Sequence, residues 1–280
     1  FWKKNKDIGL FVNLINKNIS IILPTLNERK NLEDLIPDFI SNLEENNYEN
    51  YEILVIDDNS IDGTKDYVDS LQKFNSKIKI IVRKENPSLP LSILTGIDNS
   101  EYENVMWLDA DGSMPASDSI KLINNFFVNN RSVIVGSRFT DGGAYKGVKD
   151  LSSNNLFKAI KNVQKSKDSV LGMIFSIFFN KALRFLLKTN IKDLTSGFIV
   201  INKEDINKDI FSISDYGEYF IYLINDLTLK KIEINEVGYI CETRAHGESK
   251  TASSFIQLIK RGIPYIKVAI KCRIIKDENI

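Results

Sequence analysis

Cysteine and histidine are nearly absent from this sequence: 280 residues hold two cysteines and one histidine. Cys241 and Cys272 form no metal or redox motif, so a zinc or dithiol centre is excluded, and such usage fits a reducing cytosol. Charge of one sign is missing too. Lys+Arg and Asp+Glu both total 37, which removes the overall polyanion-binding signature of a nucleic-acid binder, and no nucleic acid is expected as a partner. The longest near-apolar run, VLGMIFSIFF (170–179), is well short of the roughly 20 residues a bilayer span needs and runs into Asn180, Lys181 and Arg184. No transmembrane helix is expected. Neither GxxxxGK[ST] nor a GxGxxG after the first strand occurs, which excludes a phosphate-binding P-loop and a dinucleotide fold. No repeat, low-complexity tract or Pro/Gly linker divides the chain. The opening FWKKNKDIGLF has neither a starting Met nor the apolar segment of a signal peptide, and reads as a trimmed or internal piece.

What is present is an alternation of short apolar runs and helix-period segments. ISIIL (19–23), YEILVI (51–56), IKIIV (78–82), NVMWL (104–108) and SVIVG (132–136) read as buried strands. Between the first two, Leu32, Leu35, Ile36, Phe39, Ile40 and Leu43 recur at helical spacing. A βαβ series of this kind predicts an α/β fold, a parallel sheet with helices on both faces. The second half predicts helix over 153–190, strand 197–201, helix 215–229, one or two strands in 231–244 and a last helix near 252–275. In such sheets ligands sit beyond the carboxyl ends of the strands. The polar clusters lie there: PTLNE after the first strand, DDNSIDGT after the second, DADGS after the fourth. Acids at three strand ends suit a nucleotide with a divalent metal better than a bare phosphate.

Asp109 and Asp111 are the sharpest pair. Two residues apart on an extended strand they would point the same way, and hard oxygen ligands of this kind suit Mg²⁺ or Mn²⁺ shared with substrate phosphates. A turn is the competing explanation, because Asp, Gly and Ser favour turns. Asp58 can accept hydrogen bonds from a nucleobase or ribose, while Asp62 or Thr64 can cap the next helix. RAHGESK (244–250) sets Arg244 and Lys250 around a glycine turn, where they would neutralise a diphosphate or stand as a solvated loop. His246 between them is given no role.

Between Tyr145 and Lys192 ten basic residues face only Asp150 and Asp168. Within 173–188, Ser176, Asn180, Arg184 and Lys188 recur every four residues and leave a wide face of Met, Ile, Leu and Phe. The C-terminal LIKRGIPYIKVAIKCRIIK (258–276) repeats that mix. Each is either a core helix or a helix lying on a membrane surface, apolar side in lipid and cations at phosphates.

The motifs LPTLNERKNL, YEILVIDDNSIDGT, MWLDADGSMP, VGSRFTDGG, DLTSGF and RAHGESK stand in an order that resembles glycosyltransferase family 2, and within it the dolichol-phosphate mannosyltransferase-like branch of polyprenyl-phosphate sugar transferases. The resemblance runs from about Ile19 to Lys250. It implies a GT-A type fold with a mostly parallel central sheet over 19–250, after an N-terminal extension (1–18) and before a C-terminal amphipathic basic helix (251–280). Donor contacts are implied for Pro24, Leu26, Glu28, Ile56, Asp58, Asp109, Ala110 and Lys250. A metal-binding DxD, Asp109 and Asp111 with Ser113 beside it, would hold Mg²⁺ or Mn²⁺. Asp111, Arg138 and Arg244 are implied in catalysis. Three departures stand out: Leu26 replaces an aromatic, Ser113 replaces a frequent Gln, and NPSLPLSILTG (86–96) replaces a glycine-rich turn.

The implied reaction is inverting transfer of a hexose, mannose or glucose, from GDP-mannose or a UDP-hexose to a polyprenyl or dolichyl phosphate. Such an acceptor is already anionic and needs no strong base, and the QxxRW motif of processive polysaccharide synthases is absent. The resemblance further implies a peripheral place on the cytoplasmic face of a membrane, with a separate membrane-anchoring subunit as a partner. A family 2 enzyme using a saccharide hydroxyl and a degenerate membrane-associated scaffold are the rival readings.

Overall fold

The computed structural model describes residues 17–129, 132–145, 170–242, 246 and 255–278. Strands β1 (Asn18–Thr25), β2 (Asn50–Asp57), β3 (Ile78–Val82), β4 (Asn104–Trp107) and β5 (Val133–Ser137) alternate with helices α1 (Arg29–Glu45), α2 (Thr64–Gln72), α3 (Leu89–Asn99) and α4 (Ala116–Val128). After the two-residue β6 (Ala144–Tyr145) come α5 (Val170–Leu187), β7 (Ile199–Asn202), α6 (Asp209–Ser212), α7 (Tyr219–Leu229), β8 (Ile234–Gly238), β9 (Ile240–Cys241) and α8 (Phe255–Glu278). The seven-stranded sheet has the order β3-β2-β1-β4-β7-β5-β8, and β6 pairs with β9.

Both faces of the sheet are covered, and successive residues divide between them because side chains on a strand alternate. Ile19, Ile21 and Leu23 of β1 enter one core with Leu32, Phe39 and Phe126 from α1 and α4. Ile22 enters the other with Leu54, Ile56, Trp107 and the apolar sides of α3, α5, α7 and α8. Gly96 sets α3 against the sheet: a Cβ there would lie 2.3 Å from Ile22 Cγ2.

The sheet is mostly parallel, as expected, and the one strand that runs the other way lies in the second half of the chain. β7 runs antiparallel to both β4 and β5 and separates them. The chain returns from α5 with a strand buried on both faces, and a short apolar run of that kind looks the same in either direction. The 173–188 helix turns out differently. Asn180, part of the anticipated polar stripe, is buried: it donates to Thr195 Oγ1 (3.0 Å) and accepts from Leu194 N (2.8 Å). The outward face carries Phe178, Lys181 and Phe185, and Lys188 of the anticipated stripe is exposed just past the helix end. On α8, Val268, Ala269 and Cys272 belong to the second core.

Candidate functional site

The loops after β1 and β2 are tied to each other before any ligand arrives. Asp57 accepts from Ser60 N (3.0 Å), the Ser60 hydroxyl accepts from Asn27 N (2.7 Å), and Asn27 Oδ1 accepts from Ile61 N (2.9 Å). Asp62 takes Thr64 N and Oγ1 at the start of α2, where Gly63 and not the expected Asp62 or Thr64 holds the N-cap position, and also Arg29 N at the start of α1. Fixed in this way, the strand ends border a cleft of about 260 Å³.

Pro24, Leu26, Glu28, Asp58, Asp109, Ala110 and Asp111 all line that cleft. Asp58, 6% exposed, accepts Ser88 N (2.8 Å) on Oδ2 and Ser92 Oγ (2.8 Å) on Oδ1, and it pairs with the Arg83 guanidinium. A carboxylate has about four acceptor sites, so this group can be held by the protein and still receive a ligand N–H or O–H. The departing 86–96 segment supplies the Ser88 and Ser92 contacts. Pro87, Ser88, Leu89 and Ser92 line the cleft with Thr25, and Ser88 caps α3.

Asp109 and Asp111 reach the cleft by a route other than strand alternation. β4 stops at Trp107, and the acids sit in the turn beyond it, Asp109 exposed and Asp111 buried. Asp111 Oδ1 accepts from Ser113 N (2.9 Å). Among the described residues no group of three or more His, Cys, Asp or Glu side chains is arranged to hold a metal. The donor chemistry nevertheless fits a Mg²⁺-type ion, which commonly takes one or two carboxylates and completes its shell with phosphate and water. Ser113 is not among the lining residues, and its carbonyl accepts from Glu242 N (2.9 Å).

The remaining sequence candidates fall elsewhere. Ile56 is wholly buried in the second core, so its side chain serves packing. Arg138 forms a two-pronged pair with Asp193 (2.7 Å and 2.7 Å) and donates to Thr195 Oγ1 (2.9 Å). Burial works against that guanidinium, but Asp193, with Tyr239 after it, holds its pKa well above the ordinary arginine value. This pair joins VGSRF to DLTSGF outside the lining of the cleft. Arg244 and Lys250 lie outside the described residues. Their neighbour His246 is described, and its backbone is clasped by Asn31, which accepts His246 N (3.1 Å), donates to His246 O (3.3 Å) and also donates to Glu28 (2.6 Å). His246 of the RAHGESK motif therefore docks beside a residue of the cleft.

Sequence reading passed over Asp215 and Tyr216, which line the cleft from the turn between α6 and α7. An acid and an aromatic next to a glycine, SDYGE, were the only local sign.

Comparison with known proteins agrees with this arrangement. The family model described as glycosyl transferase family 2 matches residues 20–209. The chain is 29% identical to a dolichol-phosphate mannosyltransferase of Pyrococcus furiosus over 83% of its own length and 58% of that protein's, so it spans less than two thirds of that relative. It is 26% identical to a polyprenol monophosphomannose synthase of Mycolicibacterium smegmatis and 24% to a dolichol-phosphate mannosyltransferase of Saccharomyces cerevisiae, each over 85% of this chain and 82% of the relative. Glucosyl-3-phosphoglycerate synthase from Mycobacterium tuberculosis, solved with Mn²⁺, UDP and glucosyl-3-phosphoglycerate, has the same fold, with a TM-score of 0.58 over 93% of this chain and 81% of that one at 16% identity. The chain belongs to glycosyl transferase family 2 and is a glycosyltransferase of the GT-A fold.

Proposed function

We propose that this glycosyltransferase moves a hexose, mannose or glucose, from a nucleotide sugar to a polyprenyl or dolichyl phosphate with inversion at the anomeric carbon. The observation that carries the reading is the single cleft where Glu28 and Asp58 meet Asp109 and Asp111. The first pair offers acceptors to a nucleoside, of GDP-mannose or a UDP-hexose. The second pair would hold Mg²⁺ or Mn²⁺ against the diphosphate. Bound there, the cation supplies charge for the departing nucleotide. Arg244 and Lys250, on the motif whose His246 docks at Asn31, are the proposed protein cations for donor and acceptor phosphates. Arg138 is assigned to holding Asp193 and the DLTSGF turn in register.

The names of the relatives support a lipid phosphate acceptor, and so does the outer surface of α5 and α8. Phe178 and Phe185 are 65% and 83% exposed next to Lys181 and Lys188. Ile263, Ile270 and Ile274 are exposed among Lys260, Arg261, Lys267 and Lys271. No helix among the described residues is long and apolar enough to cross a membrane. A surface of this composition fits peripheral seating on the cytoplasmic face of a membrane, with a membrane-anchoring subunit as a partner there.

The test is a panel of GDP- and UDP-sugars with polyprenyl phosphates or saccharide acceptors, with Mg²⁺ or Mn²⁺, scoring lipid-linked product. Product with a lipid phosphate alone is expected. Transfer only to a saccharide hydroxyl, or no transfer at all, overturns the proposal.

A further inference from the structure

We infer that Asp215 and Tyr216 recognise the transferred hexose, and that Glu218 and Tyr265 hold the turn that presents them. The inference deepens the glycosyl transfer reading and rests on it. Asp58 serves the nucleoside end of the cleft and Asp109 and Asp111 the diphosphate. Asp215 and Tyr216 line the same cleft from a separate element, the turn before α7. A carboxylate repels a phosphate but accepts from sugar hydroxyls, and a phenol both donates and accepts. Their chemistry therefore matches a neutral polyol next to a metal-bound diphosphate.

The turn is built to stay in place. Glu218, 4% exposed, accepts Asp215 N (2.7 Å) on one carboxylate oxygen and Tyr216 N on both (3.2 Å and 3.1 Å). The next residue, Tyr219, accepts from Trp107 Nε1 (3.0 Å), two residues ahead of Asp109. From the other side α8 delivers Tyr265, whose ring meets Phe179 of α5 edge-on at 5.9 Å. A Cβ on Gly217 would lie 2.0 Å from the Tyr265 hydroxyl and 3.1 Å from the ring carbon that bears it. Burial raises the pKa of that hydroxyl, and nearby Tyr216, Glu218 and Asp109 raise it further, so it stays protonated and neutral against the turn. Its role is positional.

The test is calorimetric binding of GDP-mannose, UDP-glucose, GDP and UDP, with Mg²⁺ or Mn²⁺, to the full chain. Asp215→Asn should weaken binding of the sugar donor about tenfold or more, the scale of a lost charge-assisted hydrogen bond. Binding of the sugar-free diphosphate should be unchanged, and Tyr216→Phe should show the same selectivity with a smaller loss. Gly217→Ala should reproduce the donor-selective loss by pressing on Tyr265, and Tyr265→Phe in that background should restore it. Equal losses for donor and diphosphate, or no loss, would overturn the hexose assignment. Failure of the rescue would overturn the positioning role. A wild-type chain that binds diphosphate but no sugar donor sinks the inference together with the transfer reading, whereas normal donor binding with unaffected variants sinks the inference alone.

Discussion

Glu52 near the start of β2 and Asp58 just past its end are both buried carboxylates, and only Asp58 faces the cleft. Glu52, 1% exposed, accepts Ser20 Oγ (2.6 Å), Glu101 N (2.6 Å) and Lys79 Nζ (2.8 Å). Asp58, just past the other end, accepts Ser88 N and Ser92 Oγ and pairs with Arg83. The two networks are equivalent in kind: a hydroxyl, a backbone amide and a cation. Burial demands that much of any carboxylate. Saturation therefore marks no function, and what separates the two acids is the cleft that opens at one end of the strand.

The largest effect should come from breaking the cleft-end network. Arg83→Met leaves Asp58 buried without its cation, and removing one partner of a buried pair costs about 3–5 kcal/mol. Lys79→Met should cost less, about 1–2 kcal/mol, because Lys79 is 37% exposed at its side chain, against 12% for Arg83, so water can take its place at Glu52. Urea unfolding measures both. Nucleotide binding should weaken in Arg83→Met and stay intact in Lys79→Met; a loss in both would erase the distinction between the two ends.

Next come the acids that face the cleft. Asp109→Asn and Asp111→Asn should each lower turnover by about 10²–10³, the scale of losing a group that stabilises developing leaving-group charge. The melting temperature should change little for exposed Asp109. Full activity in excess chelator, or in either variant, would remove the metal role from this pair.

Much of this was legible in the sequence, for physical reasons that also set its limits. Strand alternation and helical spacing follow from burial, so Ile19 to Leu23 and Leu32 to Leu43 announce their elements. Acids clustered after strands announce the cleft, because ligands gather at carboxyl ends. Direction is another matter: Ile199–Asn202 is buried on both faces, and its hydrophobic pattern is blind to antiparallel pairing. Asn180 looked like surface because its spacing matched lysine and arginine, whereas its amide serves Leu194 and Thr195. Asp109 and Asp111 were expected to share a strand face, yet a turn brings both to the cleft. Asp215 and Tyr216 have no periodicity at all, and only tertiary packing reveals them.

A smaller effect is expected on the outer surface of α5. Changing Lys181 and Lys188 to Glu should weaken binding to anionic vesicles by about fivefold or more per charge, and added salt should weaken the wild type in the same direction. Vesicle sedimentation checks it. Unchanged partitioning would confine that surface to protein contacts, while donor turnover with a soluble acceptor analogue should be unaffected.

The smallest effect is an acid one, at the end of β2 remote from the cleft. Burial raises the Glu52 pKa, but hydrogen bonds from Lys79, Ser20 and the Glu101 amide outweigh it, and the carboxyl sits below its usual 4.5. A folded-state pKa lower than the unfolded one means that the unfolded chain binds the proton more readily. The stabilisation from Glu52 is therefore complete above the unfolded value and is lost as pH falls through the folded one. Glu52→Gln should be less stable than wild type at neutral pH, and the difference should shrink on acidification below about 4.5. Denaturant unfolding across that range reads the convergence, and donor affinity at neutral pH should be the same in both chains. A gap that stays constant down to acid would mean that Glu52 contributes through packing and hydrogen bonds that survive protonation, and the two ends of β2 would then differ in charge dependence as well as in what they face.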